Sequence, residues 1–276
     1  MGSTVRAMPA LRRLAPPLLA GALLALAAPA AARAATRSTL SANWAGYAVS
    51  RAGTSFRHVS GSWVQPKVSC TPGVPTFSAF WVGIGGLSAS SRALEQIGTE
   101  ADCTTSGRER SIAWLELVPA PSRTIRMTVR PGDRISASVT VSGHRVRLRI
   151  ADRTRGTAFA RTLTAPRVDT GSAEWIAEAP SLCTASSCQI APLADFGTVT
   201  FSHASAQNRS GHSGSITDRR WSATAISLVD TTRFGPGPSA GAEPSKTSLG
   251  GTRFKVRYRS AGAVASSSRA VRRYPG

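Results

Sequence analysis

Along the chain, apolar positions recur mostly at every second residue, in short runs broken by Gly, Pro and Ser/Thr clusters. That period belongs to strands lying half-buried on a sheet face. The clearest runs are Ser78–Ile84, Ile112–Val118, Arg134–Val141, Arg145–Ile150 and Thr198–Ser202. In the fourth, Arg145, Arg147 and Arg149 alternate with Val146, Leu148 and Ile150, giving one wet basic face and one buried face. Val141-Ser142-Gly143-His144-Arg145 reads as a hairpin turn leading into it. After a Gly/Pro loop from Gly235 to Pro244, Arg253–Arg259 (RFKVRYR) alternates again and reads as a last strand. No segment past the N-terminal region carries an amphipathic helix of about 12 residues, the length an independent helix needs. The pattern predicts an all-β chain, an antiparallel two-sheet β-sandwich or jelly roll, without internal repeats.

The ends differ from this pattern. Arg6, Arg12 and Arg13 precede an apolar run from Leu14 to Ala28, and small residues close at Ala32-Arg33-Ala34. A basic start, a short apolar stretch and an A-x-A site predict a secretory signal peptide over residues 1–34. The run is short for the ~20 residues of a membrane span and holds Pro16 and Pro17, so no membrane anchor is expected after cleavage. Residues 260–276 contain Arg269, Arg272 and Arg273 and no acidic residue, and read as a basic, disordered C-terminal tail. One domain is expected between them, over 35–259.

Composition sharpens two points. Lys and Arg number 34 against 14 Asp and Glu, a formal charge of +20, and only Lys67, Lys246 and Lys255 are lysine. Losing the four arginines of the signal segment leaves +16. Such an excess suggests adhesion to acidic surfaces, but the stripe Arg145, Arg147 and Arg149 lacks the interleaved aromatics of a nucleic-acid platform, so no specific nucleic acid is expected. In an exported chain, Cys70, Cys103, Cys183 and Cys188 can form disulfides in any of three pairings. Sequence proximity favours Cys183 with Cys188 and Cys70 with Cys103. There is no CxxC and the four histidines are scattered, so neither metal nor cofactor is implied.

Candidate chemistry lies on the scarce acidic side. On a strand, Ser172–Glu178 (SAEWIAE) puts Glu174, Ile176 and Glu178 on one face. Glu174 and Glu178 would stand ~13 Å apart, too far for the ~5–9.5 Å of a glycosidase pair. A glycosidase would need Glu178 with Glu116 or Glu95 across strands. Trp44, Trp81, Trp114 and Trp175 sit in strand-like contexts with polar neighbours and suit platforms for a polymeric ligand, whereas Trp63 and Trp221 read as core. His212-Ser213 lies in GHSG rather than GxSxG, with no Asp expected to complete a triad.

Several segments in order then resemble the eqolisin-type glutamic peptidases. They are Asn43-Trp44-Ala45-Gly46-Tyr47, Gly61–Pro66 (GSWVQP), Trp81–Gly86 (WVGIGG), Leu94–Gly98 (LEQIG), Ala113–Glu116 (AWLE), Gly132-Asp133, Ala173–Glu178 and Leu193–Gly197 (LADFG). The resemblance implies a secreted endopeptidase on a concanavalin A-like two-sheet sandwich, acting on polypeptides as a monomer, with Glu178 and Gln96 as its catalytic pair. By the same resemblance Trp44, Trp81, Trp114 and Glu116 line the substrate cleft. Ionised Glu178 would take a proton from water and Gln96 would donate to the oxyanion. A carboxylate base stays ionised in mild acid, so acidic activity is expected. Gly85, Ile112 and Val118 replace an acidic residue, an Asp and a Tyr of the family pattern, and Glu100 stands where Asp is common. Little room for a long propeptide exists between Ala35 and Asn43, so latency is expected from neutral pH or from outside this chain. The rival readings are a non-catalytic carbohydrate- or polymer-binding sandwich and a secreted glycoside hydrolase.

Overall fold

The computed structural model describes residues 1–2, 4, 36–183, 187–229, 240–260, 271–272 and 274–275. The chain divides into two units, Met1–Ala32 and Arg33–Gly276. The first, with the expected signal peptide, lies almost wholly outside the described residues. So do Gly235-Pro236-Gly237-Pro238 of the expected loop, whose end, Gly241–Pro244, is a strand instead.

The strands follow the alternation closely. The first half contains β1 (Arg37–Ser41), β2 (Trp44–Ser50), β3 (Phe56–Val64), β4 (Ala79–Gly85), β5 (Leu94–Cys103), β6 (Glu109–Val118) and β7 (Arg123–Ile125). Then come β8 (Arg134–Ser142), β9 (Arg145–Asp152), β10 (Thr157–Thr164), β11 (Ser172–Glu178), β12 (Ser181–Cys183) and β13 (Cys188–Ile190). The last are β14 (Thr198–Asn208), β15 (Ser213–Gly214), β16 (Ser222–Val229), β17 (Gly241–Pro244), β18 (Phe254–Arg259) and β19 (Val271–Arg272). Among the described residues there is no α-helix, and no helix long and apolar enough to cross a membrane.

Pairing runs β19–β1–β16–β2–β11–β4–β5–β6–β7 through one layer and β18–β14–β3–β8–β9–β10 through the other. β17 pairs with both β16 and β18, turning the corner between the layers. Except for β1 with β16 and with β19, these pairings are antiparallel. This is the all-β, two-sheet sandwich the pattern predicts. Val146, Leu148 and Ile150 of β9 enter the core between the sheets, as do Tyr47, Val82, Ile97 and Trp175 from the other layer. Trp175 donates Nε1–H to Ser60 O across the layers at 2.7 Å, and Trp63 donates to Thr99 Oγ1 at 3.0 Å. Trp63 and Trp221 are core, as expected. Trp175 is core as well, which corrects its placement among the ligand platforms: its odd position on β11 points it between the sheets.

β2, β4 and β11 are buried along nearly their whole length, unlike the alternating β8 and β9. Their second face is covered by a separate apolar cluster of Trp44, Ala48, Ala79, Trp81, Leu94, Trp114, Ile176, Ile226 and Tyr274. Strands covered on both faces lose the polar alternation of a half-wet sheet. Both disulfides pair as proximity favours, Cys70 with Cys103 and Cys183 with Cys188. The end of the basic tail differs from a disordered segment: Val271–Arg272 form β19 and Tyr274 is only 6% exposed. Composition registers the arginines there but not the ring that Tyr274 meets.

Candidate active site

The site is assembled by strand register. β11 sends Ala173, Trp175 and Ala177 into the core, so Glu174, Ile176 and Glu178 face the other side of the sheet. One row across that face runs Glu174, Gly83, Gln96, Glu116. The next runs Ile176, Trp81, Gly98, Trp114, and the third runs Trp44, Glu178, Ala79, Glu100. Gln96 and Glu178 therefore stand two rows and two strands apart. Their side chains nevertheless line one cavity of about 360 Å³, shared with Glu100, Asp102, Arg110, Trp114 and Glu116. Pro121, Ser122 and Ser181–Cys183 of the β12 strand form its rim.

Trp81 links the rows. A Cβ on Gly83 would stand 2.8 Å from Trp81 Cζ3, and one on Gly98 would stand 2.6 Å from Trp81 Cβ. Gly83 makes room for the benzo edge of the indole, Gly98 for the close approach of the β4 backbone, and the Trp81 Nε1–H donates to Glu178 Oε2 at 2.7 Å. Asn43 Nδ2 donates to the other oxygen, Glu178 Oε1, at 3.2 Å. Both carboxyl oxygens of Glu178 are thereby fixed in place, with the group 2% exposed. Gln96 donates Nε2–H to Glu116 Oε2 at 2.7 Å. Among the described residues, Gln96 Oε1 and the indole nitrogen of Trp114 are buried with no hydrogen-bond partner.

Burial dominates the electrostatics. It pushes Glu178 up to about 8; the Trp81 hydrogen bond opposes the rise, the charge of Glu116 adds to it, and the Trp44 and Asn43 side chains oppose it again. Burial pushes Glu116 up to about 7 against the hydrogen bond from Gln96. Glu100 is raised to about 8 by burial and by Asp102, with Arg110 opposing. Glu174 and Glu95 are also fully buried, and burial holds both carboxyls well above the usual range.

The expected site residues fall into two groups. Gln96, Glu178, Glu116 and Trp114 share the cavity. Trp44 and Trp81 lie beside it in the apolar cluster, edge to face with ring centroids 5.0 Å apart. Sequence reasoning did not single out Asn43, Asp102, Arg110 or Tyr274 for the site. Glu100 and Asp102 were findable, because they continue the Gln96 face of β5 at period two. Tyr274 left no such signal. A turn brings Asp218 Oδ2 within 2.9 Å of His212 Nε2. Ser213 Oγ instead accepts from Gln207 Nε2 at 2.9 Å, so no serine triad forms there. Among the described residues no group of three or more His, Cys, Asp or Glu side chains is placed to hold a metal ion.

An all-β sandwich with a buried Glu, a Gln and tryptophans on one sheet face is the architecture of a glutamic-type peptidase. The peptidase A4 family model matches residues 42–233, and the chain belongs to that family, which makes it a glutamic-type endopeptidase. Among solved structures it is similar to scytalido-glutamic peptidase with a peptide-based transition-state analogue, at 24% identity and a TM-score of 0.65 over 79% of this chain and 98% of that one. It is similar to the eqolisin SCP-B in complex with the tripeptide Ala-Ile-His, at 23% identity and 0.61 over 79% and 98%. Aspergilloglutamic peptidase from Aspergillus niger matches at 25% identity and 0.51 over 67% and 99%. No curated protein matches the chain.

Proposed function

We propose that this endopeptidase cuts polypeptides with Glu178 and Gln96 as its catalytic pair. The observation carrying the reading is that Trp81 and Asn43 hold both oxygens of Glu178 in the cavity that also receives the Gln96 amide. Ionised Glu178 removes a proton from water as the water oxygen bonds to the scissile carbonyl carbon. The second Nε2 hydrogen of Gln96 donates to the oxyanion, while the first remains with Glu116. Protonated Glu178 then returns the proton to the leaving nitrogen as the C–N bond breaks, giving a carboxylic acid and an amine. A raised pKa makes Glu178 a stronger base when ionised, and a value near the working pH lets it hold and return the proton in turn.

The working form is the pair Glu116/Glu178 carrying one negative charge. With the two groups raised to about 7 and about 8, that form is populated nearer neutrality than the mild acid expected from a free carboxylate. Two disulfides fit an oxidising compartment, and with the basic, apolar N-terminal segment they support secretion.

The test is casein digestion from pH 3 to 9 with pepstatin present. Glu178→Gln is expected to lower kcat/KM by at least ~10³-fold, and Gln96→Ala by ~10²–10³-fold, chiefly in kcat. Proteolysis that survives Glu178→Gln rejects the assignment.

A further inference from the structure

Tyr274 occupies the cleft face of this chain in the manner of a bound peptide. Its ring stacks on Trp44 with centroids 4.3 Å apart and planes 14° from parallel. Its backbone N–H donates to Asn43 Oδ1 at 3.3 Å, and its carbonyl accepts from Asn43 Nδ2 at 3.1 Å. One amide thus reads both backbone groups of a single residue, recognition that any peptide residue can satisfy. The same Nδ2 donates to Glu178 Oε1 at 3.2 Å, so a residue clamped by Asn43 is held one amide away from the proposed base.

The surroundings continue the likeness. β19 adds a parallel strand to β1, with Leu40 opposite Val271 and Ser41 opposite Arg272, which is how extended peptides add to an open sheet edge. Gly86 has φ +87°, and a Cβ there would stand 3.3 Å from Pro275 Cγ and 3.2 Å from Trp44 Cη2, so the chain beneath the segment is cut back to admit it. Tyr274 also lines a second cavity of about 360 Å³ with Leu87, Ser172 and Thr224, on the sheet face that carries Glu178.

We propose that Tyr274, with Pro275 beside it, is a competitor built into the chain, holding the Asn43–Trp44 subsite beside Glu178 that a polypeptide must take over before it is cut. Asn43 has two hydrogen bonds invested in Tyr274, and a substrate residue can replace both only after the tail leaves. Because the tail is tethered, it competes at a high effective concentration even when its intrinsic affinity is modest. This supplies a source of latency inside the chain, where the sequence alone points to pH or to an outside factor. The same subsite is expected to favour an aromatic substrate residue, since Trp44 offers a flat ring face.

The kinetic consequence rests on the peptidase reading; the docking does not. Apparent substrate affinity scales with the fraction of molecules whose subsite is open, so releasing the tail lowers KM and leaves kcat unchanged. The experiment compares the full chain, a chain ending at Ala270, and the full-length Tyr274→Ala variant on casein. It also titrates the shortened chain with the free peptide AVRRYPG (residues 270–276), read by tryptophan fluorescence. The expected results are a KM about tenfold lower for both altered chains, with kcat unchanged. Saturable peptide binding and competitive inhibition by the peptide are expected too, both weakened at least about tenfold when its Tyr is Ala. Unchanged or raised KM in both altered chains overturns the proposal, whatever the peptide does. If no chain cleaves casein, the peptidase reading has failed, and saturable, Tyr-dependent peptide binding decides the docking alone. Should the shortened chain fail to fold, Tyr274→Ala and the response of the full chain to added peptide decide the same question.

Discussion

Burial raises Glu178 most, and its donors limit how far it rises. Burial alone disfavours the ionised form, and the Trp81 indole N–H at 2.7 Å is the strongest influence in the other direction. Trp81→Phe keeps the ring over Gly83 and removes only that donor. The acid limb of kcat/KM is expected to move upward by about one pH unit, with a roughly tenfold loss at pH 6, since a lost hydrogen bond to a carboxylate is worth ~1.5–3 kcal/mol. A pH–rate profile of the variant checks this. Glu116 bears on the other limb: at about 7 and about 8, it and Glu178 titrate as a coupled pair, and the second ionisation of the pair puts two negative charges in one cavity. Glu116→Gln keeps a partner for Gln96 but cannot ionise, so the alkaline limb is expected to flatten by at least one pH unit. An unchanged limb rejects the role.

Among the elements, the β12–β13 hairpin and β5 carry the two disulfides to different effect. Cys183–Cys188 ties off a hairpin whose Leu182 is 48% exposed and whose Ser181–Cys183 edge forms the cavity rim. Cys70–Cys103 closes a loop of sequence separation 33 and anchors the end of β5, the strand that carries Gln96 and Glu100. Loop entropy assigns the longer closure ~4 kcal/mol and the shorter ~2 kcal/mol. Replacing both cysteines of the long loop by Ser is expected to lower Tm by about 10 °C. The same change in the hairpin is expected to lower it less than half as much and to raise KM several-fold, because the rim is released. Calorimetry and steady-state kinetics on the two double variants separate these effects. Elements such as β9 were legible from alternation alone because one face is wet. β2, β4 and β11 carried weaker alternation, since a second cluster buries their other face.

At the scale of the whole molecule, the buried carboxylates set the pH dependence of stability. Glu95, Glu100 and Glu178 are raised to about 8 and Glu116 to about 7, all by burial first. Between their ordinary values and these, the folded chain binds more protons than the unfolded one, so stability is fully present in acid and is lost as pH rises to about 8. Asp133 runs the opposite way: despite burial, Arg155 and the Arg130 N–H hold it below its ordinary value, so its contribution is lost on acidification. The raised groups outnumber it. Deprotonation also relieves the repulsion of a chain of formal charge +20, but exposed charges are screened beyond ~8 Å in physiological salt, while a buried carboxyl is not. Tm is expected to be higher at pH 4.5 than at pH 8.5 by ~5–10 °C, what ~2–3 kcal/mol gives in a domain of this size. A melting series across that range checks the direction.

By itself the sequence determined the strand class and both disulfide pairings favoured by proximity, because these rest on local period and spacing; Gln96 and Glu178 were pointed to by resemblance to a family's motifs. Only the tertiary structure decided what those residues meet. Register across β2, β11, β4, β5 and β6 brings Trp81 and Asn43 onto Glu178, sends Trp175 into the core and opens Glu100 and Asp102 to the cavity. The placement of Tyr274 on Trp44 joins residues 230 positions apart through a ring stack and two hydrogen bonds to Asn43. Contacts of that kind depend on how the sheets close on each other, and no local pattern along the chain encodes the closure.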